Sequence, residues 1–485
     1  MSANIFLLLM VASILVADSG ASPSVVIIGA GASGIAAATK LLENGFSDVL
    51  VLEAEDRIGG RIHSVIFGDA KVDLGAQWSH GEQNNTMYEL IIDFDLLRPS
   101  HFSKYIYYSS HNFERSIVNE LFQLCKSIFL GQKPTRETSV GEFVTERFYQ
   151  NVGEGCNMKL AGEILSSFRH DVLTQRGAFS WHDLSVLNNY DRLKGTAYLN
   201  WNGMGHGMIL DVMLKTYPKP NVRLPLKFTF KKKVDEIFWN GDSVTIKCSD
   251  KSRYSADHVI LTSSLGVLKH NYKTLFKPPL LEDKVNAIKN LGMDAVVKVF
   301  LHFPNKWWKD HDFRTSLLCW DAVDLDRLPK DFPYGPIKDN RSWLENLYEF
   351  HTTDKNPNVL VAWFSGLFVP EIELLPDDLL QNGITFVLKK FFGDRYNVSK
   401  ADGMIRHGWY SNPHFRGVYS YETVKSRLGK TNAADVLSRP LKSDSGKYTV
   451  LFGGEATSSN HYATVHGAIE SGYREALRIV KMYRK

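Results

Sequence analysis

The chain has 485 residues, about three domain-equivalents at roughly 150 residues each, and enough for a sizeable buried core. Its 57 Lys and Arg against 53 Asp and Glu leave a formal charge of +4 with no run of five like charges, which argues against nucleic-acid binding. With 44% hydrophobic and 23% charged residues wholesale disorder is excluded, while 36 Gly and 12% aromatic residues point to tight turns and aromatic-lined pockets.

At the amino end, Ile5 to Ala17 is an uncharged apolar run followed by Asp18, Ser19, Gly20 and Ala21, with small residues placed as a signal peptidase requires. Residues 1–21 are therefore read as a secretory signal, with a secreted or lumenal destination. The run is shorter than the ~20 apolar residues of a bilayer span, and no later stretch reads as a stable membrane span. The final Met482-Tyr483-Arg484-Lys485 is neither a peroxisomal nor an ER-retention address. Sequons at Asn84, Asn340 and Asn397 permit secretion without arguing for it.

Val25 to Ile28 is a short run of β-branched residues, the pattern of a strand buried on both faces. Gly29-Ala30-Gly31-Ala32-Ser33-Gly34 follows at once, and Ile35 to Leu42 is an Ala-rich helix former. Strand, glycine turn and helix come in the order of a dinucleotide site. Gly29 makes the turn, Gly31 lets backbone approach a pyrophosphate, Gly34 lets helix pack on strand, and the helix amino end receives phosphate. Asp48 to Leu52 supplies a second strand ending in Glu53, placed to accept both ribose hydroxyls and to repel a 2′-phosphate. Arg57-Ile58-Gly59-Gly60-Arg61 extends the fingerprint in a way that resembles the two-dinucleotide-binding flavoproteins, with Arg61 and the glycine pair at FAD phosphates.

Farther along, Asp73-Leu74-Gly75-Ala76-Gln77-Trp78-Ser79-His80-Gly81, Asp257 to Leu268, Lys277-Pro278-Pro279-Leu280, Lys284 to Leu291, Leu451-Phe452-Gly453-Gly454-Glu455-Ala456-Thr457 and Tyr462 to Ala468 complete a set of separated motifs. With them the chain resembles the flavin-containing amine oxidases, nearest to the animal polyamine oxidase and spermine oxidase branch, from Val25 to the carboxyl end apart from a divergent stretch between about 90 and 200. The resemblance implies an α/β fold: a Rossmann-like FAD-binding domain from 24–90, 222–290 and 430–485, interwoven with an α+β substrate domain on a mixed sheet from 91–221 and 291–429. It implies that Gly75, Ala76, Gln77 and Trp78 pass beside the flavin ring, that Val234 recognises adenine through its backbone, that Glu455 meets the ribityl and pyrophosphate region, and that Thr464 and Val465 open a helix beneath the pyrimidine. Family members often carry a small residue where Gln77 stands and an aliphatic one at Ser79. Val418 replaces the cysteine to which monoamine oxidases attach FAD, so non-covalent FAD is expected.

Oxidising a C–N bond with flavin moves two electrons, as a hydride, from the α-carbon to the cofactor, so few acid–base residues are needed and the amine must first lose its proton. Lys298, a lone cation in Val296 to Phe300, reads on pattern alone as an outward, solvated lysine of an alternating strand. The resemblance instead makes it the lysine that holds a water against flavin N5 and assists oxygen reduction. It also places Tyr419 on the pocket wall, where an aromatic face suits an amine, and His80 beside the substrate nitrogen. Glu82, Asp183 and Asp191 are candidates for the distal ammonium groups of a polyamine. The expected partners are a small polyamine and dioxygen. The alternatives are oxidation of another amine or an L-amino acid, with Arg416 as carboxylate clamp, and a catalytically silent secreted flavoprotein that acts as a binding module. Cys125, Cys156, Cys248 and Cys319 form no Cys-x-x-Cys pair, so neither a metal site nor a disulfide is expected.

Overall fold

The structure, a computed structural model, describes residues 22–100, 106–109, 114–222, 224–310 and 313–484. The expected signal at 1–21 lies outside them. Val25–Ile28, all four residues buried, is an inner strand of a six-stranded sheet. The order is Leu441–Lys442, Tyr448–Phe452, His258–Leu261, Val25–Ile28, Val49–Leu52, Lys227–Thr229. All neighbours run parallel except the Leu441–Lys442 edge, with Val25 opposite both Val49 and His258. Parallel strands need coverage on both faces, which explains their unbroken apolar runs. Helix Ala32–Glu43 begins a turn earlier than its apolar pattern indicates, because Gly31 takes the N-cap position. It packs along the carboxyl-terminal helix Val465–Tyr483.

A four-stranded sheet, Arg253–Ala256, Val244–Cys248, Val234–Phe238 and Phe276–Lys277, flanks the first. The third large sheet is mixed and runs Gly403–Arg406, Val297–His302, Asn356–Phe364, Leu347–Thr353, Ser316–Cys319, Ile106–Ser109, antiparallel but for the last pair. Its two faces build separate cores. Val297, Val299, Leu301, Leu360 and Phe364 pack with helix Asp377–Phe392, while Val296, Phe300, Val361 and Trp363 pack beneath helices Arg115–Leu130, Val140–Asn151 and Met158–Arg176.

Strand alternation puts Lys298 on the face of Val296 and Phe300, opposite Trp363. Both faces are covered, so the solvated-lysine reading fails; Lys298 is 7% exposed. Residues up to 221 group with the second lobe in the sequence reading. The structure instead buries Ile209, Leu210 and Met213 against Ile35, Ile62 and Met87, since helix Met208–Met213 turns its apolar side to helix Ala32–Glu43. The four cysteines are free thiols. No described helix is long and apolar enough to cross a membrane.

Candidate active site

The carboxyl ends of Val25–Ile28, Val49–Leu52 and His258–Leu261 open into one cavity of about 640 Å³ that reaches between the first and third sheets. At its nucleotide end Gly29 holds φ +105°, and a Cβ there would lie 2.5 Å from Thr262 Oγ1. A Cβ on Gly34 would lie 1.9 Å from the Gly29 carbonyl oxygen, so helix and strand touch backbone to backbone. Around Gly31, by contrast, the nearest atom to a built Cβ is 3.9 Å away, and no side chain caps the helix that starts there. That gap in front of free helix N–H groups fits a pyrophosphate.

Glu53 is buried, with Oε2 accepting from Ala30 N at 2.7 Å and Oε1 from Glu55 N at 2.9 Å, which leaves lone pairs for a ribose diol. Arg61 pairs with buried Glu455 at 2.8 Å and donates to the Val418 carbonyl at 2.7 Å. Glu455 also accepts from Ser420 Oγ at 2.6 Å and Ala463 N at 2.8 Å, so the two ends of the chain are locked together at the site. Thr464 caps helix Val465–Tyr483 by accepting from Gly467 N at 2.9 Å. These residues fit FAD. Ser33, Gly75, Ala76, Gln77, Trp78, Val234, Val465, His80, Lys298 and Tyr419 line the same cavity; of the sequence candidates for cofactor and catalysis only Gly34 does not, because its role is packing beneath it.

At the reacting end, Lys298 Nζ donates to the Asp73 carbonyl, to the Gly75 carbonyl at 2.7 Å and to Gln77 Oε1 at 3.2 Å. Burial lowers the proton affinity of Lys298, with the Asp73 carboxylate opposing, and burial likewise raises that of Asp73. Three acceptors match the three hydrogens of the ammonium form. The 73–77 stretch is itself pinned, with Trp409 Nε1 donating to the Leu74 carbonyl at 3.0 Å and Ala76 N to the Arg61 carbonyl at 3.1 Å.

Aromatic walls surround the ammonium. The Trp363 ring centre is 5.4 Å from Nζ, and Trp78 stacks on Trp363 at 6.3 Å. The Tyr419 phenol donates to the Thr174 carbonyl, and burial pushes its pKa up, so the ring is a fixed neutral wall. His80 Nδ1 bonds the Ala197 carbonyl at 2.9 Å, so Nδ1 carries the proton; burial lowers the ring's pKa and leaves Nε2 a free acceptor.

The expected carboxylates are elsewhere. Asp183 and Asp191 are exposed, and neither they nor Glu82 belong to the cavity walls. Their loop follows its own turns around Asn188 and Asn460. Arg416 is also outside the lining. Two acids absent from the sequence reading line the cavity instead: Asp171, 7% exposed, on helix Met158–Arg176, and Glu349, 1% exposed, on strand Leu347–Thr353. Asp171 accepts from Gln175 Nε2 at 2.9 Å, and burial, helped by Glu349, pushes its pKa up to about 7. Glu349 Oε1 meets His351 Nδ1 at 2.8 Å. The sequence holds a signal for Glu349: like Lys298, it is a lone charge inside an apolar strand.

The profile of the flavin-containing amine oxidoreductases matches residues 32–480. The chain is 30% identical to the Bos taurus peroxisomal N(1)-acetyl-spermine/spermidine oxidase over 96% of each protein, and 27% identical to Zea mays polyamine oxidase 1 over 96% of this chain and 91% of that one. A solved structure of a redesigned putrescine oxidase, 18% identical, superimposes with a TM-score of 0.65 over 95% of this chain and 99% of that one, which speaks for the fold. With the cradle, the aromatic walls and the buried lysine on one cavity, this chain belongs to the family of flavin-containing amine oxidoreductases.

Proposed function

We propose that this FAD-dependent amine oxidase acts on a polyamine, converting polyamine, dioxygen and water to an aminoaldehyde, a smaller amine and hydrogen peroxide. The observation that carries the substrate is the pair of buried carboxylates, Asp171 and Glu349, on the cavity that also holds Lys298 and Tyr419. A monoamine has no second charge to satisfy them. Bound FAD supplies the two-electron acceptor for the α-carbon hydride and hands the electrons on to dioxygen.

The protein binds, orients and keeps water out. Glu53, the Gly31 turn, Arg61 and Glu455 hold the cofactor. Trp363 and Tyr419 wall the reacting carbon, and His80 Nε2 accepts a hydrogen from the substrate nitrogen. The Lys298 ammonium stabilises negative charge developing on oxygen. Valine at 418 offers no sulfur for a covalent bond, so acid precipitation should release the flavin into solution.

The lining also includes Lys126, Arg176 and Arg192, the first and last of them exposed, and these cations favour an acylated outer end over a free ammonium beside them. Amino-acid oxidation loses its proposed clamp, since Arg416 is not part of the walls. The test is anaerobic bleaching of the yellow protein with spermine, N-acetylspermine, benzylamine and an L-amino acid. Bleaching by either of the first two and not by the others is expected; the reverse order removes the polyamine reading.

Asp171→Asn and Glu349→Gln should each raise KM for a polyamine about ten-fold or more, the scale of a lost charge-assisted hydrogen bond, with limiting bleaching rates little changed. Because Asp171 ionises near pH 7 and binds a cation only when ionised, KM should fall as pH rises through 7. A KM profile identical in Asp171→Asn and the parent would remove Asp171 from recognition. We also propose that residues 1–21 direct secretion. Amino-terminal sequencing of protein recovered from the medium should start after Ala21.

A further inference from the structure

A charge taken out of water is costly unless a partner offsets it, and the cations of the cavity wall divide on that ground. Apart from Lys298, Arg61 pairs with Glu455, Lys232 with Asp250 and Lys233 with Asp235, while Lys126 and Arg192 are exposed. Arg176 is half-buried, and among the described residues its side chain forms no ion pair and no hydrogen bond. Its guanidinium carbon lies 5.7 Å from the centre of the Phe129 ring and 5.3 Å from that of Tyr190, two further residues of the wall. Rings attract a cation by their faces but leave its planar fork of N–H donors unused.

The place of this charge is set by the aromatic wall. Arg176 ends helix Met158–Arg176, where the Thr174 carbonyl accepts from the Tyr419 phenol and Gly177, at φ +62°, comes so close that a Cβ would stand 2.6 Å from Tyr419 Cε2. Five residues earlier on the same helix, about 7.5 Å along its axis, is Asp171, which also lines the cavity. One helix thus brings an acid and, nearer to Tyr419, an unpaired guanidinium to the same space.

Resting on the polyamine reading, we infer that Arg176 is a specificity-determining residue that takes the carbonyl oxygen of an acyl cap on the substrate, near the reacting carbon, while Asp171 takes a more distant ammonium. A free ammonium at the capped position would meet a like charge in a partly buried space, where repulsion is strong. An acyl group removes that charge and supplies the oxygen that the guanidinium lacks. Discrimination then comes from attraction and repulsion at one side chain.

Anaerobic bleaching of the FAD-loaded protein is timed against concentration with two probes, N-acetylspermine and spermine, which differ by one acetyl group. In the parent, KM should be lower for the acetylated probe. Arg176→Gln should raise that KM about ten-fold, the scale of a lost charge-assisted hydrogen bond, and lower KM for spermine. Arg176→Glu should invert the preference. Arg176→Lys, which keeps the charge but not the planar fork, should fall between the parent and Arg176→Gln with the acetylated probe. A wall that has merely loosened would instead slow the limiting rate for both probes alike. A ratio of the two KM values unchanged in Arg176→Gln overturns the inference, as does a parallel rise for both probes or a parent that prefers spermine. If Arg176→Glu does not hold FAD, Arg176→Gln alone decides. Were neither probe to bleach the parent, the polyamine reading itself would fall and this inference with it; bleaching of the parent with an unchanged ratio removes the inference alone.

Discussion

Lys298→Met is expected to slow reoxidation by dioxygen about 100-fold while FAD stays bound, because the substitution removes the buried amine whose positive charge stabilises negative charge developing on oxygen. Retention of FAD follows from the geometry: among the described residues the hydrogen bonds of Lys298 go to the 73–77 stretch, whereas the nucleotide cradle is built from Gly31, Glu53, Arg61 and Glu455. Methionine fills a similar volume between Phe300 and Trp363. Its cost to stability is the two carbonyls left unpaired, about 1–3 kcal/mol each when buried. Rapid mixing that times anaerobic reduction and reoxidation separately is the measurement. Parent-like reoxidation would take Lys298 out of oxygen chemistry.

Gly34→Ala should abolish the yellow holoenzyme. A methyl group at position 34 would meet the Gly29 carbonyl oxygen at 1.9 Å, its carbon at 3.1 Å and Ile27 Cγ2 at 3.3 Å. Neither of the first two can rotate away, because Gly29 is fixed in its turn by a hydrogen bond from its N–H to the Leu52 carbonyl at 2.8 Å. The helix must therefore lift off the sheet and open the phosphate site, an overpacking cost of about 3 kcal/mol. Gly31→Ala is the matched control: with nothing closer than 3.9 Å, its methyl group should leave the apoprotein fold intact and obstruct only the cofactor. The ratio of visible to ultraviolet absorbance and the melting temperature of the two variants read this out. A stable, yellow Gly34→Ala protein would contradict the close backbone contact between helix and strand.

The nucleotide cradle is legible in the residue order because its logic is local. Val25–Ile28, the glycine turn and helix Ala32–Glu43 are contiguous, and each glycine answers a steric demand made by residues a few places away. Lys298 is legible only through resemblance, since an alternating strand does not say which of its faces is covered. The two buried acids of the cavity, Asp171 and Glu349, escape the sequence for a related reason. Asp183 and Asp191 are polar residues of the divergent stretch, where charge is expected on solvated surface, and both are exposed, while Glu82, just after the 73–81 motif, is half-buried outside the cavity.

From residue order alone comes a dinucleotide turn with its hold on phosphate and ribose, a consequence of backbone geometry and short spacing, while the flavin and the oxidation of an amine come from the resemblance carried by the separated motifs. Folding adds the walls of the substrate chamber. Asp171 and Glu349 come from a helix and a strand far apart in the chain, and the loop residue Gln77 accepts a hydrogen bond from a lysine on the third sheet. Their meeting depends on how the third sheet packs under its helices, where a charge is buried only because distant apolar residues exclude water around it, a condition that no local pattern encodes.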